Sequence, residues 1–152
     1  MFSFLKKNID FFAPHEKQVI VEAVRNAEKR TSGEIRVFVE THCRYVDAMD
    51  RAREIFDQLK MDQTKDRNAV LVYMAVKDRQ LAVLGDEGIH QKVGDGYWNT
   101  EVIKMIKTFN QYNYADGLVM CVKDIGEALH AYFPYDSKID KNELPDDIVF
   151  GR

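Results

Sequence analysis

The chain has little of what would mark a secreted, membrane-spanning or nucleic-acid-binding protein. Its only two cysteines, Cys43 and Cys121, lie far apart, which excludes a dense disulfide framework and predicts free thiols. No run approaches the ~20 apolar residues that a membrane span needs, and Lys6 and Lys7 interrupt the short apolar N-terminus, unlike a secretory signal. A net charge of −3 without an Arg/Lys cluster argues against nucleic-acid binding. The sequence therefore predicts a soluble, cytoplasmic protein.

The common catalytic motifs are also missing. The 152 residues contain no G-x-S-x-G, no glycine-rich phosphate loop that ends in Lys-Ser/Thr, and no H-E-x-x-H. The four histidines are dispersed, and the adjacent His42 and Cys43 would point to opposite faces of a strand, so they cannot easily share one metal ion. Because no distinct nucleophile is evident, the acidic residues are the main candidates for chemistry.

The chain is organised around a predicted hairpin between Asp66 and Gly88. Two apolar runs, residues 69–76 and 81–84, flank a polar turn at residues 77–80. The first run is continuous rather than alternating, which is typical of a strand that is covered on both faces. The short turn predicts antiparallel pairing, so Asp66 and Asp86 should lie at the same end of the hairpin.

The elements before the hairpin predict a parallel partner for its first strand. A helix should begin at Pro14, a strand should run from Glu34 to Glu40, and a second helix should run from Asp47 to Leu59. A strand, a helix and a second strand in this order form a right-handed crossover with parallel strands. We therefore predict an α/β fold, a three-layer sandwich in which a small mixed sheet (a parallel first pair plus the antiparallel hairpin) carries helices on both faces.

The elements after the hairpin are expected to be a loop and two helices. Residues 86–98 contain three glycines and the only tryptophan, which we interpret as a long irregular loop. One helix should follow to Gln111, with an inward face that consists of Val102, Ile103, Ile106 and Phe109, and another should start after Asn113. We expect an N-terminal arm at residues 1–12, a single domain at residues 13–134 and a C-terminal tail at residues 135–152, which Ile148, Val149 and Phe150 could anchor.

Acidic residues converge on one edge of this predicted sheet. Glu34 and Asp66 start the two parallel strands, Asp86 ends the antiparallel one, and Asp95 lies in the adjacent loop. Two unit charges ~4 Å apart repel by about 4 kcal/mol at an effective dielectric constant near 20. A protein offsets such repulsion with a cation, with a raised pKa of one of the acids, or with a nearby Arg or Lys. Oxygen ligands favour Ca²⁺ or Mg²⁺. The alternative is that these acids are solvated, or pair with Arg36, Lys65 or Arg67.

The same segments resemble the TPM domain family. The matching motifs are residues 31–37 (TSGEIRV), 66–72 (DRNAVLV), Asp78-Arg79 and 85–89 (GDEGI), within a similarity that covers residues 13–133. The resemblance implies a sheet between helices and an acidic pocket for a divalent metal, calcium in some members. It also implies the acid phosphatase activity attributed to some plant relatives. By this resemblance, the acids of the family's metal pocket correspond to Glu34, Asp66 and Asp86 in this chain. His90 lies at a position where family members usually have an acid.

Two classes of function follow from these observations. The first is a domain that binds Ca²⁺ or Mg²⁺ through Glu34, Asp66, Asp86 and Asp95, with phosphate-monoester hydrolysis as a further activity in which Asp86 or Asp66 is the base. The second is a non-catalytic interaction module that contacts a protein partner through the loop from Gly94 to Trp98, with Tyr97 and Trp98 as anchors.

Overall fold

The computed structural model of the chain describes residues 11–111, 113–135 and 148–150. Within these ranges, helices and strands follow one another as α1 (Pro14–Glu28), β1 (Glu34–Glu40), α2 (Ala48–Gln58), β2 (Ala69–Ala75), β3 (Gln80–Gly85), α3 (Glu87–Val93), α4 (Asp95–Gln111), α5 (Tyr114–Tyr132) and β4 (Val149–Phe150). None of the helices in the described part of the chain is both long and apolar enough to cross a membrane.

The strands form one mixed sheet in the order β3-β2-β1-β4. β1 and β2 are parallel and in register from Glu34 opposite Ala69, and β3 is antiparallel to β2 with Gly85 opposite Val70. The predicted parallel pair and antiparallel hairpin are therefore confirmed. β4 adds a fourth strand beside β1, so Val149 and Phe150 of the predicted tail join the sheet. Residues 136–147 of that tail, and residues 1–10 of the predicted arm, lie outside the described residues.

Helices cover both faces of the sheet, as the fold prediction requires. One core cluster joins Val37 and Val72 of the sheet to α1, α4 and α5. A second cluster joins Leu71 and Tyr73 of β2 to α2 on the opposite face. Every residue of β1 and β2 is buried, which explains the continuous apolar run of β2. The three-layer α/β sandwich is therefore confirmed.

The interpretation of residues 86–98 as an irregular loop is wrong. This segment forms α3 and the first turn of α4, which are separated only by Gly94. Asp86 caps α3, since its side chain accepts a hydrogen bond from the backbone nitrogen of Glu87 at 2.8 Å. Gly94 has φ of 85°, a left-handed conformation that ends α3 and lets α4 begin at Asp95. Asp86 and Gly94 thus mark the ends of α3, whereas Gly88 and Gly96 lie within the two helices.

Candidate acidic site at the edge of the sheet

The amino-terminal ends of β1 and β2 meet the carboxyl end of β3 at one edge of the sheet. The backbone nitrogen of Glu34 donates to the carbonyl of Asn68 at 3.4 Å, and that of Asp86 donates to the carbonyl of Ala69 at 2.9 Å. Glu34 and Asp86 thus flank the start of the central strand β2, and Asp66 lies in the turn just before it. Glu34 and Asp86 are buried, with exposures of 2% and 7%, whereas Asp66 is exposed.

Asp86 is neutralised by a guanidinium that lies directly against it. Arg67 donates from Nε to Oδ2 at 2.6 Å and from Nη2 to Oδ1 at 2.9 Å, which is the two-pronged geometry of strong Arg–carboxylate pairs. Hydrogen bonding to Asp86 raises the pKa of the Arg67 guanidinium. The Arg67 side chain is 41% exposed, so water reaches one side of this pair. The sequence left open whether Asp86 binds a cation, is solvated or pairs with a basic residue. In the structure it pairs with Arg67.

The turn that carries Asp66 and Arg67 is held tightly against α3. Arg67 has φ of 51°, a conformation that is uncommon for a residue with a side chain. Its carbonyl accepts from the backbone nitrogen of Gly88 at 2.8 Å. A Cβ atom on Gly88 would lie 2.1 Å from the carbonyl oxygen of Asp66 and 2.6 Å from that of Arg67. Glycine at position 88 therefore permits the close approach that fixes Arg67 beside Asp86.

A buried amide lies at the same edge. Asn68, which is 1% exposed, donates from Nδ2 to Ser32 Oγ at 3.1 Å, and its backbone nitrogen donates to Thr64 Oγ1 at 3.2 Å. Its Oδ1 atom is buried and accepts no hydrogen bond from the described residues. An unsatisfied buried oxygen costs about 1–3 kcal/mol, and it is also a suitable ligand for a hard cation. Three buried polar residues, Glu34, Asn68 and Asp86, therefore lie at this edge of the sheet.

Asp95 makes its contacts away from this group. It is the first residue of α4, and its Oδ1 atom lies 2.9 Å from Nε2 of His90. His90 in turn accepts at Nδ1 from Nε1 of Trp98 at 2.9 Å. In the part of the chain that the structure describes, no three His, Cys, Asp or Glu side chains are grouped so that they could hold a metal ion. The structure thus brings Glu34 and Asp86 to one edge but does not assemble the four predicted acids around a point.

In the segment from Gly94 to Trp98, predicted above as an interaction loop, Gly94 ends α3 and Asp95 to Trp98 form the first turn of α4. Trp98 is buried, and its indole lies over Gly85, where a Cβ atom would come within 2.1 Å of the ring. The hydroxyl of Tyr97 donates to the backbone carbonyl of Asp124 in α5 at 3.2 Å. Both aromatic residues anchor α4 to the domain, because the burial of a large aromatic side chain stabilises the folded protein.

A second acidic group, which the sequence analysis did not single out, lies between α4 and α5. Glu101 is buried, and Nζ of Lys104 lies 3.3 Å from both Glu101 Oε2 and Asp124 Oδ2. Burial and the neighbouring Asp124 raise the pKa of Glu101 to about 7. Nothing in the sequence pattern distinguishes Glu101 from the exposed acids, because its burial depends on contacts between α4 and α5.

A buried ion pair lies at the carboxyl end of β1. Glu40 is buried and accepts from Arg51 of α2 at both oxygens, from Nε at 2.8 Å and from Nη2 at 2.9 Å. The hydroxyl of Tyr73 donates to the same carboxylate. Burial and this hydrogen bond raise the pKa of Tyr73, so it is a neutral donor at physiological pH. With its oxygens satisfied, Glu40 joins α2 to the sheet and offers no open ligand position.

Comparisons with known proteins agree with this fold. A family model described as TPM domain matches residues 5–128. Among solved structures, the chain is similar to the NMR structure of BA42 protein from the psychrophilic bacterium Bizionia argentinensis. The two are 43% identical, with a TM-score of 0.84, and the match covers 93% of this chain and 96% of that chain. The search of curated proteins found no match.

Proposed function

Because this chain belongs to the TPM domain family, we propose that it binds one Ca²⁺ or Mg²⁺ ion at the amino-terminal edge of its sheet. The observation that supports this proposal is that Glu34, Asn68 and Asp86 lie at this edge of the sheet and are all more than nine-tenths buried. Hard divalent cations prefer such oxygen ligands. Asp66, which is exposed in the adjacent turn, is the ligand from the solvent side.

The donor set fits a hard cation in its chemistry. It consists of carboxylates and an amide oxygen, without a thiolate or an imidazole, which would favour zinc or another transition metal. Asn68 Oδ1 supports the fit, since it is buried and lacks a hydrogen-bond donor among the described residues. A cation bound at this edge would give that oxygen a partner.

Arg67 occupies the place beside Asp86 that a cation would take. The proposal therefore requires the guanidinium to leave Asp86 when the ion binds, and the exposed side of Arg67 gives it a path to solvent. This exchange makes binding weaker than it would be at a preformed site, because the ion must replace two charge-assisted hydrogen bonds. Asp95 would become a ligand only after leaving His90, so we assign it the outermost role.

The proposal is tested by adding CaCl₂ or MgCl₂ while amide signals are followed by NMR. We expect saturable shifts at Asp66, Asn68 and Asp86 that are lost in Asp86→Asn and in Glu34→Gln. The matched control is Asp50→Asn on α2, which removes an exposed acid that is paired with Arg53. Shifts that are scattered over exposed acids, or that persist in Asp86→Asn, would show that the ion has no site at this edge.

Phosphate-monoester hydrolysis is the second candidate function. The observation that favours it is the exposure of Asp66 beside the buried acids, which places a possible base on the side that a substrate would approach. A bound cation would supply charge stabilisation for a phosphoryl group, and a released Arg67 could bind a phosphate oxygen. Activity on a chromogenic phosphate ester should be lost in both Asp86→Asn and Asp66→Asn. Activity that survives either change does not arise at this edge.

A further inference from the structure

An apolar cavity lies at the opposite end of β2 from the acidic edge. Its volume is about 170 Å³, and it is open to solvent on one side. It is enclosed by the end of β2, the start of β3 and the region where α4 gives way to α5. Its apolar lining consists of Met74, Val76, Leu81, Ile106, Phe109 and Tyr114. This surface is independent of the cation site proposed above.

The size of the cavity limits what could occupy it. An apolar cavity of ~150 Å³ accommodates a benzene ring, so a volume of about 170 Å³ suits one ring or a short branched chain. The cavity also lies at the carboxyl end of the parallel strand β2, and ligands of open α/β sheets bind at this end of the strands. The cavity therefore fits a small molecule rather than a long acyl chain.

A single charged residue, Arg79, lies in the lining. It is exposed in the β2–β3 turn and has φ of 53°, a strained backbone conformation for an arginine. The adjacent acid does not neutralise it, because the Asp78 carboxylate is bound by His42 Nδ1 at 3.1 Å and by the backbone nitrogen of Cys43 at 2.7 Å. Among the described residues, Arg79 forms no ion pair. In the described part of the chain, Arg79 is thus the one charged residue that lines this apolar cavity, and the lining contains no acid.

We propose that this cavity binds a small monocarboxylate, with its single ring or short branched chain among the apolar residues and its carboxylate on Arg79. The arrangement resembles that of most small-molecule sites, in which an apolar lining supplies affinity and one or two polar groups fix orientation. Arginine can bind both oxygens of a carboxylate through its planar fork of donors. Asn110, which is also exposed in the lining, is a second polar contact.

Benzoate and benzamide test this proposal as a matched pair, since they share a ring and differ in charge. We expect benzoate to cause saturable shifts of the amide signals of Val76, Arg79, Phe109 and Tyr114. Benzamide should bind about tenfold more weakly, because it lacks the charge-assisted hydrogen bonds to Arg79. Equal affinity of the two probes, or the absence of saturable shifts with benzoate, would overturn the proposal.

Three variants identify the residues that bind the probe. Arg79→Asn removes the charge and suits the left-handed backbone, so it should reduce benzoate affinity to the level of benzamide without unfolding the protein. Ile106→Trp should block both probes, because Ile106 is half exposed at the cavity and the larger ring would fill it. Arg53→Asn, which removes an exposed arginine from α2, should change nothing. Benzoate binding that is unchanged by Arg79→Asn contradicts the assignment of the carboxylate to Arg79.

Discussion

Arg67 donates two hydrogen bonds to Asp86 across the edge of the sheet, one from Nε at 2.6 Å and one from Nη2 at 2.9 Å. The pair links the turn before β2 to the cap of α3, and it neutralises a carboxylate that would otherwise be buried as a charge. The same pair defines how the proposed cation site would operate, because an ion can reach Asp86 only as the guanidinium leaves.

Removing Arg67 should weaken the fold and strengthen cation binding. Arg67→Asn suits the left-handed backbone at this position but leaves Asp86 without its partner, so we expect the free energy of unfolding to fall. Saturating Ca²⁺ should restore part of that loss in the variant and stabilise the natural protein less. Thermal unfolding with and without Ca²⁺ measures both effects. Equal stabilisation of the two proteins by Ca²⁺ would show that Arg67 does not compete with the ion.

The close packing at Gly88 should not tolerate a side chain. Gly88→Ala would place a methyl group within 2.1 Å of the Asp66 carbonyl oxygen, and we expect it to destabilise the protein by about 1–3 kcal/mol. Gly96→Ala is the matched control, since a Cβ atom there meets nothing within 4 Å. Urea unfolding compares the two variants. Similar stabilities would mean that the turn can move away from α3.

Glu101 should make the stability of the protein depend on pH. Its pKa in the folded protein is raised from an ordinary 4.5 to about 7, so folding favours the protonated form. This contribution is fully present below about pH 4.5 and is lost as the pH rises through about 7. In Glu101→Gln we therefore expect a smaller decline in the free energy of unfolding between about pH 5 and pH 8, measured by urea unfolding in a pH series. The exposed Glu127→Gln is the control, and identical slopes for Glu101→Gln and the natural protein would contradict the assignment.

The contact between His90 and Trp98 gives a spectroscopic prediction. Because Trp98 Nε1 donates to His90 Nδ1, His90 carries its proton on Nε2 and donates it to Asp95. His90→Leu should cost about 1 kcal/mol and change the emission of Trp98, the only tryptophan in the chain. Asp95→Asn should have a smaller effect, since the Asp95 side chain is 98% exposed. Fluorescence and urea unfolding of both variants check this order, and a larger effect of Asp95→Asn would contradict it.

The sheet could be predicted from the sequence because its strands are encoded locally. The alternation of Ile35, Val37 and Val39 marks β1, and the continuous run around Val72 marks a strand with two covered faces. The polar turn then sets the antiparallel pairing of β3, which brings Glu34 and Asp86 to one edge. These features depend on the period of the apolar residues and on turn length, both of which can be read without tertiary contacts.

The inward face of α4 could not be predicted in the same way. The apolar spacing predicts that Ile103 and Ile106 face inward, but they are 47% and 46% exposed, whereas Glu101 and Thr108 are buried. Glu101 can be buried there because Lys104 lies against it and because its raised pKa favours the neutral acid, and such tertiary effects leave no periodic signal in the chain.

The contacts of the acidic edge were only partly predictable. The sequence predicts that Arg67 is one of three basic residues that could pair with the acids. That it pairs with Asp86 depends on the turn that Gly88 holds against α3. The separation of Asp95 from Asp86 depends on Gly94, which starts a new helix where we expected a loop. Both outcomes are set by backbone geometry at a single residue, which propensity and pattern do not specify.

A divalent cation that binds at this edge should displace Arg67 from Asp86, and the Nε–H signal of Arg67 in a ¹H–¹⁵N NMR spectrum reports this displacement directly. On addition of CaCl₂ we predict that this signal shifts saturably, with the same apparent affinity as the amide signals of Asn68 and Asp86, and that Asp86→Asn abolishes the response. An Arg67 signal that is unchanged at saturating Ca²⁺ would contradict the account.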